Sequence, residues 1–180
     1  MANPAPNPFD FLPEKPSFEL TSDDVAAGGV LPEAHVFNGF GFDGANRSPH
    51  LRWSGAPDGT RSFVLNVVDP DAPTGSGFWH WVAVNLPATT TELPAGAGAS
   101  DETLPGGAFH VRNDYSRHGY DGPAPAAGPV SHRYIFTVHA VDVDALEVTS
   151  DTSASAVGFN LYFHTLARAQ FTAEYARKES

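Results

Sequence analysis

Two histidines and two aspartates lie in or beside strand-like segments, where their side chains could bind an anion or a metal ion. Asp69 ends one such segment and opens the turn Asp69–Pro73 (DPDAP), which also contains Asp71. His80 and His132 lie in the two segments with the strongest strand character. Imidazole and carboxylate groups suit zinc or iron, and a protonated histidine beside a carboxylate can bind a small anion. The residue types therefore leave both kinds of site open.

Strand parity groups these candidates, because alternate residues of a β-strand share a face. Asp69 shares a face with the other odd-numbered residues of its strand. His132 and Tyr134 share a face, whereas Arg133 points the opposite way. His80 shares a face with the even-numbered residues that follow it. Parity alone predicts that His132 and Tyr134 lie on the same face of their strand.

A structural interpretation competes with the functional one for each residue. The aspartates can simply cap a turn by accepting backbone N–H groups. A strand histidine is more often a buried, hydrogen-bonded residue than a ligand, and Arg133 is most simply an ion-pair donor. No spacing demands a function for the other histidines, which are His35, His50, His110, His118, His139 and His164.

Several catalytic and nucleotide-binding motifs are absent from the sequence. No HxH, HxxxH or HxxEH pair occurs, which weakens a metal site, and no GxSxG supports a serine hydrolase. The glycine-rich stretches contain neither GxxxxGK[ST] nor GxGxxG in a strand-to-helix setting. There is no cysteine, so disulfides and thiolate chemistry are excluded.

The pattern of β-formers and turn residues predicts a mainly β chain. The helical signal comes late, at Thr152–Ala169, and a short final strand is expected at Gln170–Tyr175. This combination indicates a sandwich of two sheets with one helix near the end. The predicted strands are Ser17–Thr21, His50–Trp53, Ser62–Val68, Trp79–Leu86, Ala108–Arg112 and His132–Val141.

Composition and charge limit the class of protein further. The 180 residues include 41% hydrophobic and 17% charged side chains, which is typical of one globular domain. Residues 1–16 contain five prolines and predict an extended arm, followed by a single domain at 17–180. A net charge of −11 disfavours nucleic acid and anionic membranes as partners. Neither a signal peptide nor an apolar span is visible, so we expect a cytoplasmic location.

Together, the histidine-containing segments resemble the two diagnostic blocks of the phosphatidylethanolamine-binding protein family, also called the Raf kinase inhibitor-like family. The first block is DPDAP followed by Gly77–Val82 (GFWHWV), and the second runs from Gly122-Pro123 to His132-Arg133-Tyr134. The stretch SPHLRWSGAPDGTRSFVLNVVDPDAP and the tail AVGFNLYFHTLARA are similar to bacterial members. The resemblance covers about Ser17 to Tyr175. One departure is Ala124–Gly128 (APAAG), where many relatives have a Pro-Pro-x-Gly run at the pocket rim.

The resemblance implies a β-sandwich whose pocket binds phosphate-like head groups or other small anions without catalysis. It implies neither a cofactor nor a metal, and it suggests a homodimer. The ligand-binding residues it implies are Asp69, Asp71, His80, Tyr120, Gly122, His132 and Tyr134.

A carboxylate beside a histidine gives this pocket a testable chemistry. We expect Asp69 to pair with His80 and to favour its charged form, so that anion affinity falls as the pH rises from about 6 to about 8. Two alternatives stay open. One is a hydrolase that uses the same histidines and aspartates, with or without a metal. The other is a protease or kinase inhibitor that acts through surface loops.

Overall fold

The computed structural model describes residues 4–126, 128 and 130–177. This part of the chain contains eight β-strands, one α-helix and a few short 3-10 turns. No helix among these residues is long and apolar enough to cross a membrane. The elements are β1 (Glu19–Thr21), β2 (Leu51–Ser54), β3 (Ser62–Asp69), β4 (Phe78–Pro87), β5 (Glu92–Leu93), β6 (Phe109–His110), β7 (His132–Val141), α1 (Ala154–His164) and β8 (Thr165–Tyr175).

Two antiparallel sheets form the sandwich, and the prediction of a mainly β fold is confirmed. The small sheet has the order β1-β2-β5, and the large sheet has the order β6-β4-β3-β7-β8. The core between the sheets includes Trp53 of the small sheet and Leu65 and Phe136 of the large one. The other face of the large sheet is covered by α1, whose Val157 and Leu161 pack in a second cluster. Every residue of β3 is buried because both faces of this central strand are covered.

The C-terminal helix and strand differ from their predicted bounds. The helix ends at His164 instead of Ala169, and the last strand has 11 residues and starts at Thr165 instead of Gln170. The strand pairs with β7 from end to end, and its burial alternates along its length. The alanine-rich start of this strand has high helix propensity, but Ala167 and Ala169 are buried in the sandwich core. Tertiary pairing therefore overrides local propensity.

Strand β4 carries a bulge at His80 that changes which side chains face the interior. Val67 pairs with Trp81 and Val68 with Trp79, so His80 is an extra residue on its strand. The predicted parity of His80 with Val82 is therefore wrong. Val82 packs on the α1 side, whereas the His80 ring contacts Tyr134 on the interior side, with the ring centroids 5.2 Å apart. The bulge turns this histidine toward the other site residues.

The described part of the N-terminal segment lies across the α1 side of the large sheet. It contains a 3-10 turn at Pro8–Phe11, and Phe9 is buried against Val68 and Ile135. The backbone N–H of Arg168 donates to the carbonyl of Pro16 over 3.0 Å. This segment is therefore attached to both the middle and the edge of the sheet.

Candidate functional site

A cavity of about 640 Å³ opens at one end of the large sheet, and four of the predicted residues line it. Asp69 ends β3 and His132 begins the neighbouring β7. Tyr134 follows two residues later on the same face, and the bulge turns His80 of β4 toward the same place. Three adjacent strands thus bring Asp69, His80, His132 and Tyr134 together.

Asp69 and His132 form a buried pair at the base of this cavity. Oδ2 of Asp69 lies 2.7 Å from Nδ1 of His132, and Oδ1 accepts the backbone N–H of Asp71 over 2.8 Å. Asp69 is 3% exposed. The hydrogen bond to Asp69 raises the pKa of His132, against the opposing effect of burial. The expectation that Asp69 pairs with His80 is wrong, because the carboxylate contacts His132 instead.

His80 has a different electrostatic environment from His132. Its Nδ1 lies 2.7 Å from the carbonyl oxygen of Asp121. Burial lowers the pKa of His80, although Asp121 and Asp69 act in the opposite direction. A carbonyl only accepts hydrogen bonds, so the proton of the neutral ring is on Nδ1 and Nε2 is an acceptor. The site therefore combines one histidine that favours the charged form with one that favours the neutral form.

The loop that positions His80 is held by the buried carboxylate of Asp121. Its oxygens accept Nδ2 of Asn46 over 3.0 Å, Nδ2 of Asn113 over 2.7 Å and Nε of Arg117 over 3.0 Å. Asp121 was not among the residues predicted from the sequence. A signal was available, because it directly precedes the Gly122-Pro123 pair of the second family block.

Aromatic side chains form one wall of the cavity. Tyr115 stacks on Phe37 at 4.7 Å between ring centroids and meets Phe78 edge-on at 4.8 Å. The hydroxyl of Tyr134 is buried and has no hydrogen-bond partner among the described residues. Burial raises the pKa of both Tyr115 and Tyr134, so their phenols stay protonated. The phenol of Tyr134 therefore keeps a proton for which the described residues offer no acceptor.

Arg177 adds a permanent positive charge to the lining of the cavity. Its guanidinium carbon lies 4.6 Å from the ring centroid of Phe42, a cation–π distance. The sequence carried no signal for this residue or for Tyr115, because neither belongs to a motif or to a predicted strand face. Only the fold brings them to Asp69 and His132.

Three predicted site residues do not line the cavity. Asp71 forms an ion pair with Arg133, whose Nε lies 2.8 Å from Oδ2, so Arg133 is the structural ion-pair donor that the sequence predicted. The hydroxyl of Tyr120 donates to the carbonyl of His35 over 2.6 Å. The Asp71 carboxylate and the Tyr120 hydroxyl therefore already have hydrogen-bond partners within the protein.

The backbone of Gly122 is likewise committed to the protein. Its N–H donates to Oδ1 of Asn46 over 2.8 Å, so this backbone group already has a partner. A Cβ at this position would clash with the carbonyl of His35, which explains the glycine. Of the segment that departs from the family run, Ala124, Pro125 and Ala126 line the cavity, and Ala127 lies outside the described residues.

Metal coordination by protein side chains finds no support in the described part of the chain. Residues 4–126, 128 and 130–177 contain no group of three or more His, Asp or Glu side chains arranged to hold a metal ion.

The sequence matches the phosphatidylethanolamine-binding protein family over residues 21–176. It is 52% identical over 158 residues to the UPF0098 protein YbhB of Escherichia coli, covering 88% of this chain and 99% of that protein. It is 46% identical over 169 residues to UPF0098 protein YbcL of the same organism, covering 93% and 92% of the two chains.

Structural comparison agrees with the sequence match. The crystal structure of Escherichia coli YbcL, described as a member of the mammalian PEBP family, superposes with a TM-score of 0.87 over 90% of this chain and 99% of that one. A homologue from Chlamydia trachomatis at 26% identity gives a TM-score of 0.76 over 90% of this chain. The chain belongs to the phosphatidylethanolamine-binding protein family.

Proposed function

We propose that this protein is a non-catalytic binding protein for a small phosphate-like anion, held in the cavity at the end of the large sheet. The observation that carries the proposal is the Asp69–His132 pair, 2.7 Å apart and open to that cavity. The pair favours a charged imidazolium. Its second nitrogen, Nε2, has no hydrogen-bond partner among the described residues and can donate to a ligand. Arg177 lines the same cavity and adds a second cation.

The donors and acceptors in the cavity select the kind of anion. His132 and the Tyr134 hydroxyl supply donors for phosphate oxygens, and charge-assisted bonds of this kind are the strong ones. The neutral ring of His80 instead presents an acceptor at Nε2. The best ligand therefore carries a hydrogen-bond donor of its own beside the anionic oxygens. Hydrogen phosphate and phosphoethanolamine both meet this requirement.

Anion affinity should depend on the charge of His132 and not on that of His80. The pKa of His132 is raised, so the imidazolium persists above the ordinary histidine range and is lost as the pH rises through the raised value. Once it is lost, the unopposed Asp69 carboxylate repels the ligand. We therefore expect the affinity to fall toward alkaline pH.

Calorimetric titration of phosphate and phosphoethanolamine from pH 6 to pH 8 tests the proposal, with Asp69→Asn as the decisive variant. Burial of His132 remains in this variant but its carboxylate partner is lost, so the pKa of His132 falls. We expect about tenfold weaker binding at pH 7. Ligand ionisation is common to both proteins, so the difference reports the loss of the Asp69 carboxylate, which acts on His132 and also on His80.

Asp144→Asn is the matched control, because it removes an exposed carboxylate that pairs only with Arg61 among the described residues. Following His132 by NMR shows directly whether its pKa falls in Asp69→Asn. Wild-type binding that does not change with pH, or equal affinities for wild type and Asp69→Asn, would contradict the proposal. Stoichiometric zinc or iron with EDTA-sensitive turnover would contradict its non-catalytic part.

A further inference from the structure

A second, smaller cavity of about 200 Å³ lies on the opposite face of the large sheet, between α1 and the N-terminal segment. Most of its lining is apolar. Its walls come from the N-terminal segment (Pro8, Phe9, Leu12, Pro13 and Lys15), from the sheet (Asn66, Trp79, His139, Thr165 and Arg168) and from α1 (Ala154, Ser155, Gly158, Leu161 and Tyr162).

Polar side chains line one end of this cavity, and one of them carries a buried acceptor without a partner among the described residues. Nδ2 of Asn66 lies 3.1 Å from Nε2 of His139, and Nδ1 of His139 lies 3.3 Å from Oγ1 of Thr165. Burial lowers the pKa of His139 to about 3, so the ring is neutral and uses both nitrogens in this chain. Oδ1 of Asn66 is buried without a partner among the described residues, in a side chain only 4% exposed. Such a group is costly unless a donor reaches it.

The size of the cavity limits what could supply that donor. An engineered apolar cavity of roughly 150 Å³ holds a benzene molecule, so about 200 Å³ accommodates one ring or two small fused rings. We propose that this cavity is a second ligand site, for a small neutral aromatic molecule whose N–H or O–H group donates to Oδ1 of Asn66.

The cations near the cavity do not make it an anion site. The guanidinium of Arg168 lies 5.8 Å from the ring centroid of Phe9, and it donates to the carbonyls of Phe9 and Pro13. Its charge therefore holds the N-terminal segment against the sheet. The unpaired atom at the buried end is an acceptor, which repels a carboxylate.

Titration of the full chain with indole, benzofuran and benzoate tests the class of ligand. Indole carries an N–H donor, whereas benzofuran has nearly the same shape and places an oxygen acceptor there. We expect indole to bind about tenfold more tightly than benzofuran, because only indole satisfies Asn66. We also expect it to bind more tightly than benzoate. No indole binding up to its solubility, equal binding of benzofuran, or tighter binding of benzoate would overturn the proposal.

Filling the cavity tests its location. Gly158 lines the cavity, and a Cβ at this position would meet no heavy atom within 4 Å. Gly158→Leu should therefore fold, fill the cavity and weaken indole binding at least tenfold. Ala156→Leu adds a leucine to the same helix at an exposed position that does not line the cavity, and it should bind indole like the wild type. Equal binding by Gly158→Leu would place the indole elsewhere and overturn the proposal.

A measurement on the wild type keeps the proposal testable if Gly158→Leu does not fold. Saturating indole should shift the side-chain amide resonance of Asn66, and an unchanged resonance would overturn the site. The anion proposal is independent of this one. Asp69→Asn should leave indole binding unchanged, and Gly158→Leu should leave phosphate binding unchanged.

Discussion

Removing the hydroxyl of Tyr134 tests whether this atom serves ligand binding or the stability of the fold. It is buried at the anion cavity without a partner among the described residues. Tyr134→Phe should therefore leave the free energy of unfolding unchanged or raise it by up to about 1 kcal/mol. The same variant should weaken phosphate binding about fivefold, because a ligand loses one donor. Urea denaturation and calorimetry measure the two effects.

Tyr120→Phe is the matched control, because the Tyr120 hydroxyl has a partner in the carbonyl of His35 and does not line the cavity. Its loss should destabilise the fold by about 1–2 kcal/mol and leave phosphate affinity unchanged. If Tyr134→Phe destabilised the fold as much as Tyr120→Phe while binding phosphate normally, the Tyr134 hydroxyl would have a structural role instead.

The two cavity histidines show what residue-level reasoning can and cannot predict. Strand parity correctly placed His132 and Tyr134 on one face, because β7 is regular from His132 to Ala140. The same rule failed for His80, because one extra residue in β4 reverses the face and no sequence pattern marks that bulge. The partner of Asp69 was therefore misassigned, although four of the residues that line the cavity were predicted: Asp69, His80, His132 and Tyr134.

The loop that ends at Asp121 is held by the buried carboxylate of this residue. The contribution of that carboxylate to the stability of the fold can be measured. Asp121→Ala removes the acceptor for Asn46, Asn113 and Arg117 in a buried setting. We expect a loss of about 3 kcal/mol in the free energy of unfolding, because the buried amide of Asn113 and the less buried donors of Asn46 and Arg117 all lose an acceptor. The His80 ring should also lose its fixed orientation, since its Nδ1 is held by the Asp121 carbonyl. Urea denaturation tests the first effect, and NMR of His80 tests the second.

Asp144→Ala is the control for this element, because it removes a carboxylate from an exposed ion pair with Arg61. Exposed pairs contribute about 0–1 kcal/mol. If Asp121→Ala and Asp144→Ala lowered the free energy of unfolding by comparable amounts, the loop would not depend on its buried carboxylate.

At the level of elements, the sequence predicted the existence of the long strands better than the residues at which helices and strands begin and end. β3, β4 and β7 are rich in β-formers and bounded by turn residues, so local chemistry and tertiary pairing agree. The two-residue strand β5 carries too little pattern to be predicted. The boundary between α1 and β8 was missed because pairing with β7, a nonlocal effect, decides it.

At the level of the whole molecule, a net charge of −11 surrounds a site proposed to bind anions. Solvent and salt screen the distant surface charges beyond about 10 Å, so the charged groups that line the cavity set its local charge. They are His132 and Arg177 together with the carboxylates of Asp69 and Asp114. The proposed anion site depends on the cationic groups that the fold places at this end of the sheet. Sequence composition predicts a global repulsion of anions, and the local attraction that we propose depends on the folded arrangement of the cavity.

Buried histidines also make the stability of the whole molecule depend on pH. Burial lowers the pKa of His80, His110 and His139 in the folded protein. Below about pH 6.5 the unfolded chain binds protons that these three folded sites reject, so stability falls as the pH falls. His132 acts in the opposite direction, because its raised pKa contributes stability at low pH that is lost on alkalinisation. Because three histidines have a lowered pKa and one has a raised pKa, we expect a net loss of stability in acid.

His139 should account for a large part of this acid sensitivity. Its pKa is lowered to about 3, so between pH 6.5 and pH 5 it alone contributes a loss of about 2 kcal/mol. His139→Gln should therefore flatten the dependence of the free energy of unfolding on pH, as measured by urea denaturation at half-unit steps across that range. Tyr120→Phe removes a buried polar group without removing a histidine, and it should lower stability by the same amount at every pH. A slope in His139→Gln as steep as in the wild type would show that the acid sensitivity arises from other groups.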